Sequence, residues 1–333
     1  MIFTIGILNR FPIEETLDAV ELLDRSGVHS ILVEDEVNYY DVYALLALIA
    51  RQTKNILIGT GVTNPLTRHP VITAAAISTI DQISSGRAIL GMGAGMTSTM
   101  TALGVDVRRP IGTLKATVPI LQKLLNGEAV TDSEGLYHIK NISLGISPKG
   151  KIPLYIGGRG PRILETGGYF ADAVIPGAGL FTPRAIEYAR ENIRRGAEMA
   201  GRDYKKIDIV AWSYTSISED AEEAVSAISW FSYLTARSAP LEVWRPTGMD
   251  MPFVEKVKRE PIPPAEQMPG LIPHSVLDQF GIAGNPATFR KRILEMKEAG
   301  IDHIGLYLFP VKKLGLKGTV EMLLNSVLKE FME

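Results

Sequence analysis

The sequence predicts an α/β fold of the (β/α)8 TIM-barrel type, with insertions, as a single domain over residues 1–333. Short β-rich runs alternate with segments of helical periodicity, which is the pattern of parallel strands joined by crossover helices. Eight strand and helix pairs in about 300 residues match the size of such a barrel. Glycines and polar residues collect where the strands end, at the position where these barrels bind ligands. A doubly wound sheet is the alternative.

The strands are predicted from short runs of apolar and β-branched residues. Between them, Thr182 and Asn285 each precede a proline and are expected to cap helices. Gly27, Gly201 and Gly300 are expected to close helices. The eight strands are then placed at residues 3–8, 30–34, 56–60, 88–92, 153–156, 173–175, 207–214 and 303–309.

Two segments interrupt the alternation of strands and helices. Residues 128–147 are predicted to form a hairpin insertion that turns at Asp-Ser-Glu-Gly, residues 132–135. Residues 239–273 form a long proline-rich loop that contains Trp244, Met249 and Phe253. Long loops inside compact domains are usually lids, binding loops or disordered segments. The apolar side chains favour a lid over a bound ligand, and an oligomer contact is the alternative.

The composition excludes several classes of function. The chain has 35 basic and 37 acidic residues and a net charge of -2, so no charge excess attracts it to nucleic acid or a membrane surface. It has no cysteine, which excludes disulfides, thiolate catalysis and cysteine-ligated metals, and its five histidines lack metal-ligand spacing. No apolar run is long enough to span a bilayer. We expect a cytoplasmic protein that acts on a small molecule without a metal.

The end of the third predicted strand is the most informative part of the sequence. Residues 58–70 run from a buried strand through glycines, polar residues and prolines into an alanine-rich helix. Glycine lets a ligand approach the backbone closely. Gly61, Val62, Thr63 and Asn64 are therefore assigned to the binding of a flat or anionic cofactor. A tight turn without a ligand is the alternative.

Three further glycine turns follow strands four, five and six. The turns after strands five and six each precede a helix, so their backbone amides can converge on a phosphate, with Arg159 adding a charge. The turn after strand four lacks the Gly-x-Gly-x-x-Gly spacing, so a Rossmann dinucleotide site is rejected. The cofactor-binding residues assigned to these turns are Gly93, Ala94, Gly95, Gly157, Gly158, Arg159, Gly177, Ala178 and Gly179.

Three successive acids, Glu34, Asp35 and Glu36, end the second strand. Because side chains alternate between faces, at least one must point inward, where burial beside like charges would raise its pKa and suit proton transfer. Asp35 and Glu36 are the candidate catalytic residues. A solvated strand end is the alternative.

Other conspicuous residues are given structural roles. Asp81 and Arg87 are expected to pair at the bottom of the barrel, and Trp212 and Tyr214 to lie in its core. The helix around residues 71–77 carries small side chains that allow close packing, so we expect a homo-oligomer, in the simplest case a homodimer.

Five motifs resemble those of the luciferase-like flavin and deazaflavin oxidoreductase superfamily, in particular its methylenetetrahydromethanopterin reductases that depend on coenzyme F420. The similarity covers nearly the whole chain, and residues 239–273 are its least familiar part. The motifs are residues 59–65 with 68–70, 77–87, 90–95, 152–161 and 280–286.

The resemblance implies a bacterial-luciferase-like barrel that binds F420 or FMN at its mouth, with the cofactor phosphate at the turns after strands five and six. It also implies a cis peptide bond between Gly61 and Val62. Three positions depart from the pattern of the superfamily. Glu36 stands where many of its F420 enzymes have histidine, and Gly6 and Met96 stand where the reductases have acids.

The resemblance therefore implies an F420-dependent oxidoreductase, similar to methylenetetrahydromethanopterin reductase, that transfers a hydride between the deazaflavin and an organic substrate. One alternative is an FMN-dependent monooxygenase supplied with reduced flavin by a partner flavin reductase. The other is a flavin-binding barrel without catalysis.

Overall fold

The computed structural model describes residues 1–268 and 270–332. Pro269, inside the predicted lid, and Glu333 lie outside the described residues. The strands are β1 (Ile2–Ile7), β2 (Ser30–Val33), β3 (Leu57–Thr60), β4 (Ala88–Gly93), β5 (Val130–Asp132), β6 (Ile139–Ile142), β7 (Leu154–Gly158), β8 (Ala173–Pro176), β9 (Asp208–Ile217), β10 (Gly281–Gly284) and β11 (His303–Leu308).

The main sheet is a closed parallel barrel. Its strands follow the order β10-β9-β11-β1-β2-β3-β4-β7-β8, and β9 also pairs with β8. This additional pairing closes a ring of eight strands, with β10 outside the ring. The predicted TIM barrel is confirmed, because a doubly wound sheet would leave two open edges.

Strand β10 is not among the predicted strands. It pairs with residues 214–217 of β9, beyond the point where β8 has ended, because β8 contacts only residues 208 and 209 of that strand. The long β9 therefore offers an edge that a short segment can join. The four residues of β10 begin and end with glycine and have no strand signature of their own.

The helices lie between the strands, and the caps expected from the sequence are confirmed. Thr182 Oγ1 accepts a hydrogen bond from Ala185 N–H, and Asn285 Oδ1 accepts one from Thr288 N–H. The helices are α1 (Ile13–Asp24), α2 (Val42–Gln52), α3 (Pro70–Ser84), α4 (Thr97–Ala102), α5 (Pro110–Leu125), α6 (Pro161–Phe170), α7 (Pro183–Met199), α8 (Ala221–Ser238), α9 (Leu241–Trp244), α10 (Met251–Arg259), α11 (His274–Phe280), α12 (Pro286–Glu298), α13 (Gly315–Leu323) and α14 (Lys329–Met332). Within the described residues, none is long and apolar enough to cross a bilayer.

The two insertions have different structures. Strands β5 and β6 pair in antiparallel fashion within residues 128–147. Residues 239–273, read from the sequence as a loop, contain α9 and α10, because several of their prolines stand at helix starts, where a proline is tolerated. Trp244 is fully buried there, and its Nε1–H donates to Ala236 O at 3.2 Å. A Cβ on Gly179 would lie 2.6 Å from the Trp244 ring, so this glycine makes room for the indole.

The strand register sets the levels of side chains inside the barrel. Gly6 pairs with Leu32 and Tyr307, and Tyr307 pairs with Tyr214. Paired residues of neighbouring strands point to the same face of a sheet. A Cβ on Gly6 would lie 2.6 Å from Trp212 Cζ2 and 2.7 Å from Tyr307 Cδ2, so this face is the interior. The aromatic rings thus occupy the volume that a side chain at position 6 would need.

The prediction that Asp81 and Arg87 form an ion pair is wrong. The carboxylate of Asp81 accepts from Lys149 N–H at 2.7 Å, and no ion pair joins it to Arg87 within the described residues. The Arg87 guanidinium bonds to uncharged oxygens around the ends of α2 and α3 and the start of β3. Its acceptors are Ala50 O, Thr53 O, Thr53 Oγ1, Ile56 O and Ser84 O.

Candidate active site at the carboxyl end of the barrel

The predicted site residues follow the carboxyl ends of five strands, β2, β3, β4, β7 and β8. Since all the strands of the ring are parallel, these ends meet at one face, the mouth of the barrel. The structure therefore brings the sequence-predicted residues to the same end of the molecule. Their contacts differ, and these contacts decide what each residue can do.

The turn after β3 has the cis peptide bond between Gly61 and Val62 that the resemblance implies. The side chain of Val62 packs between two other strand ends. A Cβ on Gly93 would lie 2.7 Å from Val62 Cγ2, and one on Gly157 would lie 3.0 Å from Val62 Cγ1. Gly93 and Gly157 thus leave space for Val62, and only their backbones remain to contact a cofactor.

The side chain of Asp35 is fixed by a hydrogen bond from the turn after β3. Thr63 Oγ1 donates to Asp35 Oδ2 at 2.6 Å. Burial raises the pKa of Asp35, while the Thr63 hydrogen bond and the charge of Arg68 oppose that rise. The carboxyl group is therefore fixed between the ends of β2 and β3, with one oxygen already engaged.

Asn64 shapes the turn that leads into α3. Its Oδ1 accepts from Leu66 N–H at 2.9 Å and from Thr67 N–H at 3.1 Å, and the side chain is buried. The carbonyl oxygen is thus used by the protein itself. Only the amide nitrogen of this predicted cofactor residue is left for a ligand.

The turns after β7 and β8 are joined to each other. Gly177 N–H donates to Gly158 O at 3.0 Å, and Arg159 Nε–H donates to Ala178 O at 2.6 Å. Helix α6 begins directly beyond them, with Gly160 as its N-cap and no side-chain hydrogen bond to its first turn. The free amides of a helix start bind anions.

Gly160 and Gly158, which precede α6, differ in how much free space surrounds them. A Cβ on Gly160 would meet only Val243 Cγ2, at 3.9 Å, so the approach to the first amides of α6 is open. A Cβ on Gly158 would lie 2.5 Å from Ile163 Cγ2. Gly158 is thus required for packing of α6 on β7, whereas an anion can reach the amides past Gly160. The residues present fit a cofactor phosphate.

Glu34 is the acidic residue that sequence analysis did not select as catalytic. It lies two positions after Leu32 and points to the same interior face, one level nearer the mouth. Burial and then the like charge of Glu36 raise the pKa of Glu34 to about 8, although Arg10 and Arg159 oppose the rise. The half-buried Glu34 carboxyl is therefore mostly neutral at pH 7. Strand alternation in the sequence places Glu34 and Asp35 on opposite faces, but only the pairing with β1 shows which of the two points inward.

Glu36 lies in the loop that follows β2. Asn9 Nδ2 donates to Glu36 O at 3.0 Å and to Tyr40 O at 2.7 Å, which fixes this loop to the end of β1. Burial raises the pKa of Glu36, and the charge of Arg10 opposes the rise. Its Oε2 is buried, and no group of the described residues forms a hydrogen bond with it. Glu36 thus has an unused polar atom beside the mouth.

Below these acids lies a floor of aromatic rings: Trp212, Tyr214, Tyr307 and Phe309. Tyr214 and Phe309 are 5.0 Å apart between ring centroids, and Tyr307 and Phe309 are 5.1 Å apart. Trp212 and Tyr214 are buried, as expected from the sequence. The ring planes meet at 72° and 80° in these two pairs, so the side chains interlock as a packed apolar floor beneath the mouth.

Comparison with known proteins identifies the family. Residues 3–303 match the sequence model described as luciferase-like monooxygenase. The chain belongs to the luciferase-like family. This match confirms the resemblance inferred from the motifs.

The curated relatives include two reductases that match over most of their length. The 5,10-methylenetetrahydromethanopterin reductase of Methanolobus tindarius is 32% identical over 322 residues, covering 95% of this chain and 98% of the relative. The enzyme of the same name from Archaeoglobus fulgidus is 33% identical over 306 residues, covering 90% and 91%.

Solved luciferase-like structures agree with the fold. The coenzyme F420 dependent tetrahydromethanopterin reductase of Methanopyrus kandleri superposes with a TM-score of 0.85 at 28% identity, covering 99% of both chains. An F420-dependent secondary alcohol dehydrogenase shares the fold, with a TM-score of 0.76 at 21% identity, over 97% of this chain and 98% of its own.

Proposed function

We propose that this luciferase-like chain is an oxidoreductase that binds coenzyme F420 at the barrel mouth and transfers a hydride between that cofactor and a small organic substrate. The observation that carries the proposal is the 32% identity to the Methanolobus tindarius reductase over 95% of this chain. The mouth supports it, because the cis peptide turn after β3, the glycine turns after β7 and β8 and the start of α6 lie at the same end of the barrel.

Each part of the mouth has a role in this proposal. Bound coenzyme F420 supplies the hydride from C5 of its deazaflavin ring. The backbone of the β3 turn, at Gly61 and Val62, supports the ring, and Thr63 keeps Asp35 in place beside it. The joined turns after β7 and β8 and the start of α6 hold the phosphate. The protein thus contributes orientation and electrostatics, while the cofactor carries the redox chemistry.

Titration of the purified chain with coenzyme F420 and with FMN tests the proposal. We expect tighter binding of coenzyme F420, followed by oxidation of the reduced cofactor in the presence of methylenetetrahydromethanopterin. FMN binding without measurable F420 binding would instead favour a monooxygenase that receives reduced flavin from a partner reductase. Binding of either cofactor without turnover would favour a non-catalytic barrel.

Replacing Gly160 by Asp tests the phosphate position. Asp is a better helix N-cap than glycine and Gly160 has extended backbone angles, so the fold should be as stable as the wild type or slightly more stable. The added carboxylate would repel a phosphate at the start of α6, and we expect coenzyme F420 affinity to fall about tenfold or more, or roughly 1.4 kcal/mol.

Gly160→Asn is the matched control for this test, because it caps the helix without adding charge. We expect it to retain most of the affinity, as measured by fluorescence titration. Equal affinity of the Asp and Asn variants would place the phosphate elsewhere.

We also propose that the chain forms a homodimer through α2 and α3. Three large apolar side chains on these helices are exposed, Leu48 at 45%, Ile72 at 54% and Ile83 at 40%. Light scattering at micromolar concentration should give the mass of a dimer, and Ile72→Glu should shift it toward the monomer. A wild-type monomer would contradict the proposal.

A further inference from the structure

Glu34 faces the mouth with no protein partner. Within residues 1–268 and 270–332, no group hydrogen-bonds its carboxyl oxygens, although its backbone N–H is bonded to Ile7 O. The residue is half-buried at the carboxyl end of β2, so part of its surface is exposed there. An acid held in this way has its oxygens free for a ligand.

Charged and titratable groups from four elements surround this carboxyl. Arg10 follows β1, Arg159 follows β7, and Tyr214 belongs to β9, while Asp35 and Glu36 are its own chain neighbours. The two acids favour the neutral form of Glu34, and the two arginines favour its anion. Tyr214 is hydrogen-bonded to Thr235 and stays neutral.

The neighbouring acids are less suited to proton transfer. Burial raises the pKa of Asp35, but one of its carboxyl oxygens already accepts a hydrogen bond from Thr63 Oγ1 at 2.6 Å, so this oxygen is not free for a ligand. The main chain of Glu36 is fixed by Asn9, and Glu36 lies in a loop beyond the barrel interior. Glu34 lies two positions after Leu32, which is level with Tyr307 and Tyr214, so its side chain lies one level nearer the mouth than these two rings.

Resting on the proposed function, we propose that Glu34 carries the proton that accompanies hydride transfer. Where a methylene carbon bridges two nitrogens, Glu34 gives its proton to one nitrogen as the bond between that nitrogen and the carbon breaks. The hydride and its electron pair form a new C–H bond, so the carbon becomes a methyl group on the other nitrogen. The substrate gains one proton and one hydride. Reduced coenzyme F420, when bound, would supply the hydride and release its remaining proton to solvent, from which the Glu34 carboxylate recovers the proton that it gave.

The charges around Glu34 allow a prediction of how the reaction rate depends on pH. Reduction needs the protonated acid, so its rate should fall as the pH rises through the pKa of Glu34, at about 8. Glu36→Gln removes a like charge and should move this fall to lower pH. Arg10→Gln removes a favourable charge and should move it to higher pH.

The first experiment needs no substrate. An infrared pH titration of the purified protein should show a protonated carboxyl band at pH 7 that disappears near pH 8 and is absent in Glu34→Gln. The same band should titrate lower in Glu36→Gln and higher in Arg10→Gln. Overlapping titrations for the wild type and Glu34→Gln at neutral pH would overturn the proposal.

The second experiment measures single-turnover hydride transfer from reduced coenzyme F420 to methylenetetrahydromethanopterin. Glu34→Gln should slow it about 100-fold or more and abolish its pH dependence near 8, with cofactor affinity unchanged. Glu34→Asp should restore part of the rate, and the exposed Glu14→Gln should match the wild type. An unchanged pH profile in Glu34→Gln would refute the role of Glu34. A normal infrared titration without wild-type turnover would instead support Glu34 as the neutral acid and contradict this substrate.

Discussion

Replacing Trp244 by Ala should destabilise the protein by about 3–5 kcal/mol, as is typical when a large buried aromatic side chain is removed from a core. The indole is fully buried, lies 5.9 Å from the Phe280 ring between centroids, and fills the space above Gly179. Its removal would leave a cavity between the segment around α9 and the turn after β8. Chemical denaturation followed by far-ultraviolet circular dichroism measures the loss.

Trp244→Phe is the control that keeps an aromatic ring at this position. It removes the donor to Ala236 O and only part of the ring volume, so we expect a smaller loss of about 1–2 kcal/mol. If Trp244→Ala lowered the free energy of unfolding no more than Trp244→Phe, the packing of the indole would not stabilise this segment. Coenzyme F420 affinity should also fall in Trp244→Ala, because Gly179 belongs to the proposed phosphate turns.

Replacing Arg87 by Met should cost about 3 kcal/mol, because the change leaves several carbonyl groups without their charged donor. The guanidinium donates at 2.6 Å to Ile56 O and at 2.8 Å to both Thr53 O and Ser84 O. It thereby connects the ends of α2 and α3 to the start of β3. The free energy of unfolding from urea titration measures this contribution.

Arg87→Lys keeps the charge but cannot reproduce the planar set of donors, so we expect it to recover less than half of the loss. Full recovery would show that charge alone matters at this position. Neither variant should change coenzyme F420 affinity, since Arg87 lies at the end of the barrel opposite the mouth.

The sequence predicted the barrel because its signals are local. Each ring strand is a short apolar run, and caps such as Thr182 and Asn285 mark the helices between them. Strand β10 had no such signal, since it exists only because β9 extends beyond its neighbour β8. The partners of Asp81 and Arg87 were missed for a similar reason, because both bond to backbone groups that no charge pattern reveals.

Within the candidate site, the sequence predicts which residues lie at the mouth. It does not predict which side chains contact them. The glycine turns marked the mouth, yet the sequence does not tell whether a missing Cβ makes room for a ligand or for a protein side chain. At Gly158 that space belongs to Ile163, and at Gly179 it belongs to Trp244. Among the acids, Glu34 was passed over because its inward direction follows from the pairing of Leu32 with Gly6.

Val62 packs between Gly93 and Gly157, so the side chains that fit at these three positions depend on one another. A larger side chain at either glycine would fit only if position 62 became smaller at the same time. Libraries that vary these positions singly should mostly lower the stability of the protein, whereas libraries that vary all three together could reshape the mouth. In divergent members of the family, substitutions at these three positions should therefore occur together.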